Sequence, residues 1–254
     1  MRIASIQLNI AWENTAENLR NASKFINIAK NDGCDIVVFP EMFNVGFSMN
    51  INAIAEPKEG YTTIKLCELA KKHEINLIAG YSEKAETKAK NVAISINRNG
   101  EITGRYTKNH PFSFAHEDNF YLPGNDQAIF EIDHVKCSMF ICYDLRFPEL
   151  FRLVAKDVFI IFVIANWPEV RQSHWESLLK ARAIENQCFI VGVNRTGKDA
   201  NDLVYAGGSH VYHPTGDDLS RGGKNQAYIV TDVNISDVAD VRKEFPFLQD
   251  MKYI

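Results

Sequence analysis

The sequence predicts an α/β protein in which mixed β-sheets are covered by helices, within one domain spanning residues 1–254. Two observations support this fold class. Apolar runs of strand length alternate with amphipathic runs of helix length along the chain, as in α/β folds. Two pairs of runs are joined by tight-turn sequences and predict antiparallel hairpins, so the sheets are expected to be mixed rather than purely parallel.

The N-terminal part of the chain alternates between the two periodicities. Apolar runs at 3–8, 35–39 and 75–81 predict strands. A helix is predicted over 16–30, where Leu19, Phe25 and Ile26 recur at helical spacing, and a second helix is predicted over 62–73. These elements follow one another as strand, helix, strand, helix and strand.

The middle of the chain changes to hairpins and then returns to the α/β order. Arg98-Asn99-Gly100 and Asp133-His134 are the turn sequences of the two hairpins. The hairpin strands are predicted at 91–97, 101–108, 128–132 and 135–142. Helices are then predicted at 149–155 and 173–186, and strands at 158–164, 189–194, 205–212 and 227–233.

Composition and charge indicate a globular protein and argue against nucleic-acid-binding and membrane-spanning classes. The chain has 254 residues, of which 46% are hydrophobic and 24% charged, as in an ordinary globular protein with a large core. Its net charge of -4, from 28 basic and 32 acidic residues, predicts no nucleic-acid partner and no acidic membrane surface. No apolar run reaches the roughly 18 residues of a membrane span, and the first residues lack a secretion signal, so a cytoplasmic protein is expected.

The cysteines separate into four packing residues and one exception. Five cysteines without clustered spacing predict a reducing compartment, and the chain has no CxxC or HExxH pattern, so we expect neither a metal site nor a cofactor. We interpret Cys34, Cys67, Cys137 and Cys188 as packing residues. Cys142 differs because it ends an apolar strand and is followed by a polar turn and a helix start. A thiolate there would be stabilised by free N–H groups.

Three predicted strands end in a reactive side chain. Glu41, Lys108 and Cys142 each follow an apolar run, and strand ends are where ligands bind in α/β sheets. The trio suits acyl transfer, since Glu41 can take the thiol proton while Lys108 and the backbone N–H of Tyr143 stabilise an oxyanion. Taken singly, a glutamate or lysine at a strand end is usually a solvated rim charge, and a cysteine is usually a core residue.

Four segments together resemble the nitrilase, or carbon–nitrogen hydrolase, superfamily, and most of all its bacterial omega-amidase branch. They are FPEMFNVGFSM at 39–49, RYTKNHPF at 105–112, ICYDLRFPEL at 141–150 and ANWPEVRQSHWESLLKARAIENQCFIVGVNR at 165–195. The resemblance implies a four-layer α-β-β-α sandwich and a catalytic set on Glu41, Lys108 and Cys142. It also implies a second glutamate, for which Glu117 is the best match and Glu131 the alternative.

The resemblance further implies an amidase that releases ammonia from small α-keto acid amides such as 2-oxoglutaramate through a thioester. Such a substrate carries a carboxylate, so a pocket cation and aromatic walls are expected. The candidates for substrate contact are Tyr143, Phe112, Phe114, Arg146, Trp167 and Arg195. Ordinary alternatives remain open, since Asp144 and Arg146 can pin the turn as an ion pair and the two phenylalanines can simply pack. Family members commonly form homodimers. The C-terminal FPFLQDMKYI could contribute an apolar arm to such a dimer, or the same residues could fold back onto their own chain.

Three rival functions are kept. The chain could be a nitrilase or an N-carbamoyl amidase of the same superfamily. It could be a Cys–His–Asp hydrolase, because His110, His116, His174, His210 and His213 are available to a cysteine, although none lies at a matching strand end. It could also be a silent ligand-binding or scaffold protein, which would be expected to have lost at least one of Glu41, Lys108 and Cys142.

Overall fold

The computed structural model describes residues 1–252. Within this range the helices are α1 (Thr15–Asn31), α2 (Ile51–Ile54), α3 (Tyr61–His73), α4 (Pro148–Val154), α5 (Gln172–Asn186) and α6 (Ser236–Glu244). The strands are β1 (Arg2–Gln7), β2 (Ile36–Val38), β3 (Asn76–Lys84), β4 (Ala89–Ile96), β5 (Ile102–Thr107), β6 (Ile129–Ile132), β7 (Val135–Ile141), β8 (Ile160–Ala165), β9 (Phe189–Asn194), β10 (Thr196–Lys198), β11 (Val204–Ala206), β12 (His210–Tyr212), β13 (Asp218–Arg221) and β14 (Ala227–Asp232).

The strands form two six-stranded mixed sheets. The first has the order β14-β1-β2-β3-β4-β5, with β1, β2 and β3 parallel and the other pairs antiparallel. The second has the order β13-β12-β9-β8-β7-β6, with β7, β8 and β9 parallel. The two predicted hairpins are confirmed as the antiparallel pairs β4–β5 and β6–β7. A small sheet of β10 and β11 accompanies them.

The two sheets stack face to face between two layers of helices. Val37 packs with α1 and α3 on the outer face of the first sheet, whereas Ile36 and Val38 pack against the second sheet, because successive side chains of a strand point to opposite faces. On the far side of the second sheet, Phe151 of α4 and Leu179 of α5 join the same core. The predicted four-layer α-β-β-α sandwich is therefore confirmed.

The C-terminal third departs most from the predictions. The strand predicted over 205–212 is wrong as a single element, since Gly207 and Gly208 take positive φ values of 62° and 65° and separate β11 from β12. Helix α6 was not predicted because only Val238 of its residues is buried. In the predicted C-terminal arm, Leu248 is buried and Phe247 is 63% exposed, while residues 253 and 254 lie outside the described part. Among the described helices, none has the length and apolar character to cross a membrane.

Candidate active site

The strands that carry the three predicted residues end at one edge of the sandwich. Lys108 directly follows β5 and Cys142 directly follows β7, while Glu41 lies three residues beyond β2. Strand β5 runs in the same direction as β2 and β3, because β4 is antiparallel to both β3 and β5. The geometry of the sheets thus brings residues that are distant in sequence to the same place.

Lys108 is held between two buried carboxylates. Its Nζ donates to Glu41 Oε1 at 2.9 Å and to Glu117 Oε2 at 2.8 Å, and all three side chains are at most 1% exposed. Glu117 lies in a short 3₁₀ turn, Glu117–Asn119, of the loop that follows Lys108. Glu131, the alternative, is an exposed residue of β6. The structure therefore places Glu117, and not Glu131, against the lysine.

Two asparagines that sequence reasoning missed fix these carboxylates. Asn91 Nδ2 donates to Glu41 Oε1 at 2.7 Å and to Glu117 Oε1 at 3.0 Å. Asn166, directly after β8, donates from its backbone N–H to Glu41 Oε2 at 2.8 Å and from Nδ2 to the Glu41 carbonyl oxygen at 2.6 Å. The signal that the sequence offered was a polar residue at the start of the predicted strand 91–97 and another directly after the apolar run of β8. Asn166 belongs to the second sheet, so its bonds join the two sheets at this site.

The ionisation of the cluster follows from these contacts. Burial raises the pKa of Glu41, but the charge of Lys108 and the donors around it outweigh burial, so its pKa is lowered. Burial raises the pKa of Glu117, with Lys108 opposing and Glu41 adding to the rise. Burial lowers the pKa of Lys108, yet Glu117 and Glu41 reverse this and place it well above its ordinary value. The lysine is therefore a fixed cation between a carboxylate and a second, more basic carboxyl group.

Cys142 lies in a strained backbone position beside this cluster. Its φ is +48°, which is the left-handed region that a cysteine rarely adopts and that clusters at functional sites. Sγ is 3.9 Å from the Asn166 carbonyl oxygen. Burial and the charge of Glu41 raise the pKa of the thiol well above its ordinary value, with Lys108 acting in the opposite direction.

The raised pKa of the Cys142 thiol contradicts one prediction from the sequence, namely that free N–H groups of a helix start stabilise a thiolate there. The residue instead begins a 3₁₀ turn, Cys142–Arg146, and α4 starts only at Pro148, so the α-helix does not begin beside the cysteine. The raised pKa favours the neutral thiol, which needs a base when it reacts.

A cavity enclosing about 470 Å³ of empty space, part of it open to solvent, extends from Cys142 to the surface. The predicted residues that line it are Lys108, Phe112, Cys142, Tyr143, Arg146 and Trp167. The lining residues that sequence reasoning missed are Phe47, Ala115, Asn166, Pro168, Arg171, Leu203 and Tyr205. An apolar wall with a few polar groups is the usual form of a small-molecule site.

Two predicted substrate contacts lie elsewhere. Arg195 is fully buried, and its guanidinium donates to the carbonyl oxygens of Ile10 and Thr196 and stacks over the Tyr205 ring, so it braces the scaffold behind the cavity. Phe114 is 81% exposed and does not line the cavity, although its ring lies 5.8 Å from that of Phe112, which does. The prediction that Arg195 and Phe114 belong to the cavity wall is therefore wrong.

The turn behind the cysteine is not held by the ion pair that we considered. Asp144 accepts hydrogen bonds from the Tyr106 hydroxyl at 2.9 Å and from the His110 backbone N–H at 2.9 Å, and its other contacts include the His110 ring. Arg146 instead lies 4.8 Å over the Trp167 ring at the cavity. The alternative of an Asp144–Arg146 pair is therefore wrong, and Arg146 lines the cavity, with its Nη2 3.2 Å from His174 Nδ1.

The histidines do not form a Cys–His–Asp arrangement within the described residues. His110 pairs with Asp144 but stacks on Phe147, with ring centroids 3.6 Å apart, and does not line the cavity. His116 and His174 are exposed. His210 and His213 are on or beside β12 and pair with Asp218 and Asp237.

This fold is that of a known class of enzyme. The carbon–nitrogen hydrolase family matches residues 2–243, so the chain belongs to that family, as its motifs predict. It is an enzyme that hydrolyses non-peptide carbon–nitrogen bonds.

Relatives of known activity are similar to this chain over nearly its whole length. The chain is 33% identical to the 2-oxoglutaramate amidase of Bacillus subtilis, covering 98% of this chain and 97% of that protein. It is 32% identical to the omega-amidase YafV of Escherichia coli, covering 98% and 96%. The crystal structure of XC1258 from Xanthomonas campestris, a CN-hydrolase superfamily protein with an arsenic adduct in its active site, superposes with a TM-score of 0.94 at 30% identity and covers 100% and 98% of the two chains.

Proposed function

We propose that this enzyme hydrolyses the terminal amide of small α-keto acid amides such as 2-oxoglutaramate and releases ammonia through a thioester on Cys142. The observation that carries the proposal is the Lys108 ammonium, bound by two buried carboxylates at the wall of the cavity that also holds Cys142. The names of the relatives from Bacillus subtilis and Escherichia coli support the choice of substrate.

In the acylation step, Glu41 takes the proton of the thiol as Sγ attacks the amide carbon. Its lowered pKa supports this role, since it is a carboxylate at neutral pH while the thiol is protonated. The negative charge that develops on the amide oxygen is stabilised by Lys108 and the backbone N–H of Tyr143. The carbon–nitrogen bond then breaks, and the leaving nitrogen takes the proton from Glu41 to depart as ammonia.

The deacylation step repeats this chemistry with water. Glu41 takes a proton from a water molecule that attacks the thioester carbon, and the carbon–sulfur bond breaks. The proton returns to the sulfur, which restores the thiol and releases the carboxylic acid. Glu117 positions Lys108 and, through the backbone N–H of Phe112 at 2.6 Å, the loop that forms the cavity wall.

The carboxylate of the substrate requires a cation, and Arg146 supplies one. Its guanidinium lies over the Trp167 ring, where cation–π contact holds it without neutralising its charge. Phe112 and Tyr143, with ring centroids 4.8 Å apart, form an aromatic wall for the carbon chain of the substrate.

We further propose that residues 1–254 form one carbon–nitrogen hydrolase domain that works as a cytoplasmic homodimer without a nucleic-acid partner. The net charge of -4 supports the last point. Leu153 of α4 and Ile184 of α5 are 43% and 47% exposed, so the outer helical layer offers an apolar surface to a second copy. Light scattering of the purified protein tests the dimer, and a monomer at micromolar concentration contradicts it.

Ammonia release from four substrates tests the proposed activity. They are 2-oxoglutaramate, glutamine, an N-carbamoyl amino acid and a simple nitrile, each offered to the wild type and to Cys142→Ala. We expect 2-oxoglutaramate to be turned over best and the variant to be inactive. A preference for the carbamoyl compound or the nitrile would assign the enzyme to another activity of the family. Turnover that is undiminished in Cys142→Ala defeats the mechanism.

A further inference from the structure

The cavity wall carries three cations and no carboxylate. The cations are Lys108, Arg146 and Arg171. The charge of Lys108 is balanced by its ion pairs with Glu41 and Glu117, which do not line the cavity. The arginine ion pairs within residues 1–252 are formed by other residues, namely Arg2, Arg98, Arg105, Arg182 and Arg221. Two guanidinium groups without a carboxylate partner therefore face a cavity whose remaining lining is mostly apolar.

Arg171 is fixed in place by the local structure. It ends the 3₁₀ turn Glu169–Arg171 directly before α5, and its backbone oxygen accepts a hydrogen bond from Trp167 Nε1 at 2.8 Å. Its guanidinium lies 5.4 Å from the centre of the Phe112 ring. A cation–π contact uses none of the N–H donors of a guanidinium as hydrogen bonds to a carboxylate, and those donors match the geometry of a carboxylate ligand.

We infer that Arg171 is a specificity-determining residue that binds the substrate carboxylate together with Arg146. The inference rests on the proposed function and extends it to the charge of the substrate. Two cations attract a carboxylate strongly in a cavity with apolar walls, and they repel an ammonium group for the same reason. An α-keto acid amide carries a carboxylate and a neutral carbonyl. An α-amino acid with a side-chain amide, such as glutamine, carries an ammonium group in place of that carbonyl. The cavity wall offers the ammonium group no acidic partner.

Kinetics of Arg171→Gln and Arg171→Lys test the inference against three amides. These are 2-oxoglutaramate, glutamine and pentanamide, an uncharged amide of the same chain length. For Arg171→Gln we expect KM for 2-oxoglutaramate to rise about 10- to 100-fold with kcat changed by less than about threefold, and kcat/KM for pentanamide to stay unchanged. The preference for 2-oxoglutaramate over glutamine should fall, and Arg171→Lys should lie between the wild type and Arg171→Gln.

The matched control is Arg20→Gln, which removes an exposed arginine of α1 outside the cavity and should behave as the wild type. An equal loss on all three amides would assign Arg171 a structural role and overturn the inference. So would an unchanged KM for 2-oxoglutaramate.

A binding measurement separates this inference from the proposed activity. Calorimetry with 2-oxoglutarate, the expected product, is done on Cys142→Ala with and without Arg171→Gln, and needs no turnover. We expect binding to weaken about 10- to 100-fold when Arg171 is replaced. Equal binding overturns the role of Arg171 even if the wild type hydrolyses 2-oxoglutaramate, whereas weakened binding with no hydrolysis overturns only the proposed activity.

Discussion

We predict that Asn91 lowers the pH at which the proposed enzyme gains activity, and Asn91→Ala tests this prediction. The Nδ2 group of Asn91 donates to both carboxylates that hold Lys108. Its Oδ1 is buried and has no hydrogen-bond partner among the described residues, so the side chain serves the site as a donor. Both bonds favour the ionised carboxylates. Removing them must therefore raise the pKa of the Glu41–Glu117 pair.

The size of the shift follows from the two bonds. A hydrogen bond to a charged group contributes about 1.5–3 kcal/mol, and about 1.4 kcal/mol corresponds to one pKa unit. Since both carboxyl groups bind Lys108 and Asn91, a proton on one affects the other, and we expect the acid limb of kcat/KM to move to higher pH by about one to two units. Glu117, whose pKa is already raised by burial, is expected to take up the first proton as the pH falls.

The assay is kcat/KM for 2-oxoglutaramate as a function of pH in the wild type and in Asn91→Ala. Asn76→Ala is the matched control, because Asn76 is also a buried asparagine of the first sheet whose Nδ2 makes two hydrogen bonds, one of them to the Asp133 carboxylate. It lies at the start of β3, away from the site. An unmoved acid limb, a shift to lower pH, or an equal shift in Asn76→Ala would refute the reasoning.

Three further predictions concern the same cluster. Lys108→Gln should lower kcat/KM by at least about 10²–10³ and lower the melting temperature, because it removes the proposed oxyanion donor and leaves two buried carboxyl groups without their cation. Near-normal ammonia release would contradict this. The raised thiol pKa predicts no thiolate absorbance of Cys142 at neutral pH, measured as the ultraviolet difference between the wild type and Cys142→Ala, with a signal only well above about pH 9. A neutral-pH thiolate would show that the charge of Lys108 dominates instead. His110→Gln should keep activity within about tenfold, because His110 braces Asp144 behind the turn; a loss as complete as that of Cys142→Ala would favour the Cys–His–Asp rival.

The ends of the strands were predictable from sequence because the spacing of apolar residues, and the change to polar residues, mark where an apolar run stops. Glu41, Lys108 and Cys142 each come within three residues of a strand end, and parallel strands bring such positions to one edge. The family motifs added Glu117, which lies in a loop where periodicity offers no signal.

The contacts within the site were less predictable, because they depend on partners that are distant in sequence. Asn91, within β4, and Asn166, directly after β8, resemble ordinary polar residues until the carboxylates of Glu41 and Glu117 are placed beside them. Arg195 follows β9 as Cys142 follows β7, yet its side chain turns toward the carbonyl oxygens of the scaffold. Position at a strand end gives the neighbourhood of a side chain and not its direction.

The central claim is that Cys142 carries the acyl group during turnover. The most direct test is to mix the enzyme with 2-oxoglutaramate, quench with acid during turnover, and analyse the intact protein and its peptides by mass spectrometry. We expect an adduct equal to the substrate less one ammonia, on the peptide containing Cys142 and absent in Cys142→Ala. An adduct on another residue would contradict the claim, as would continued hydrolysis by Cys142→Ala.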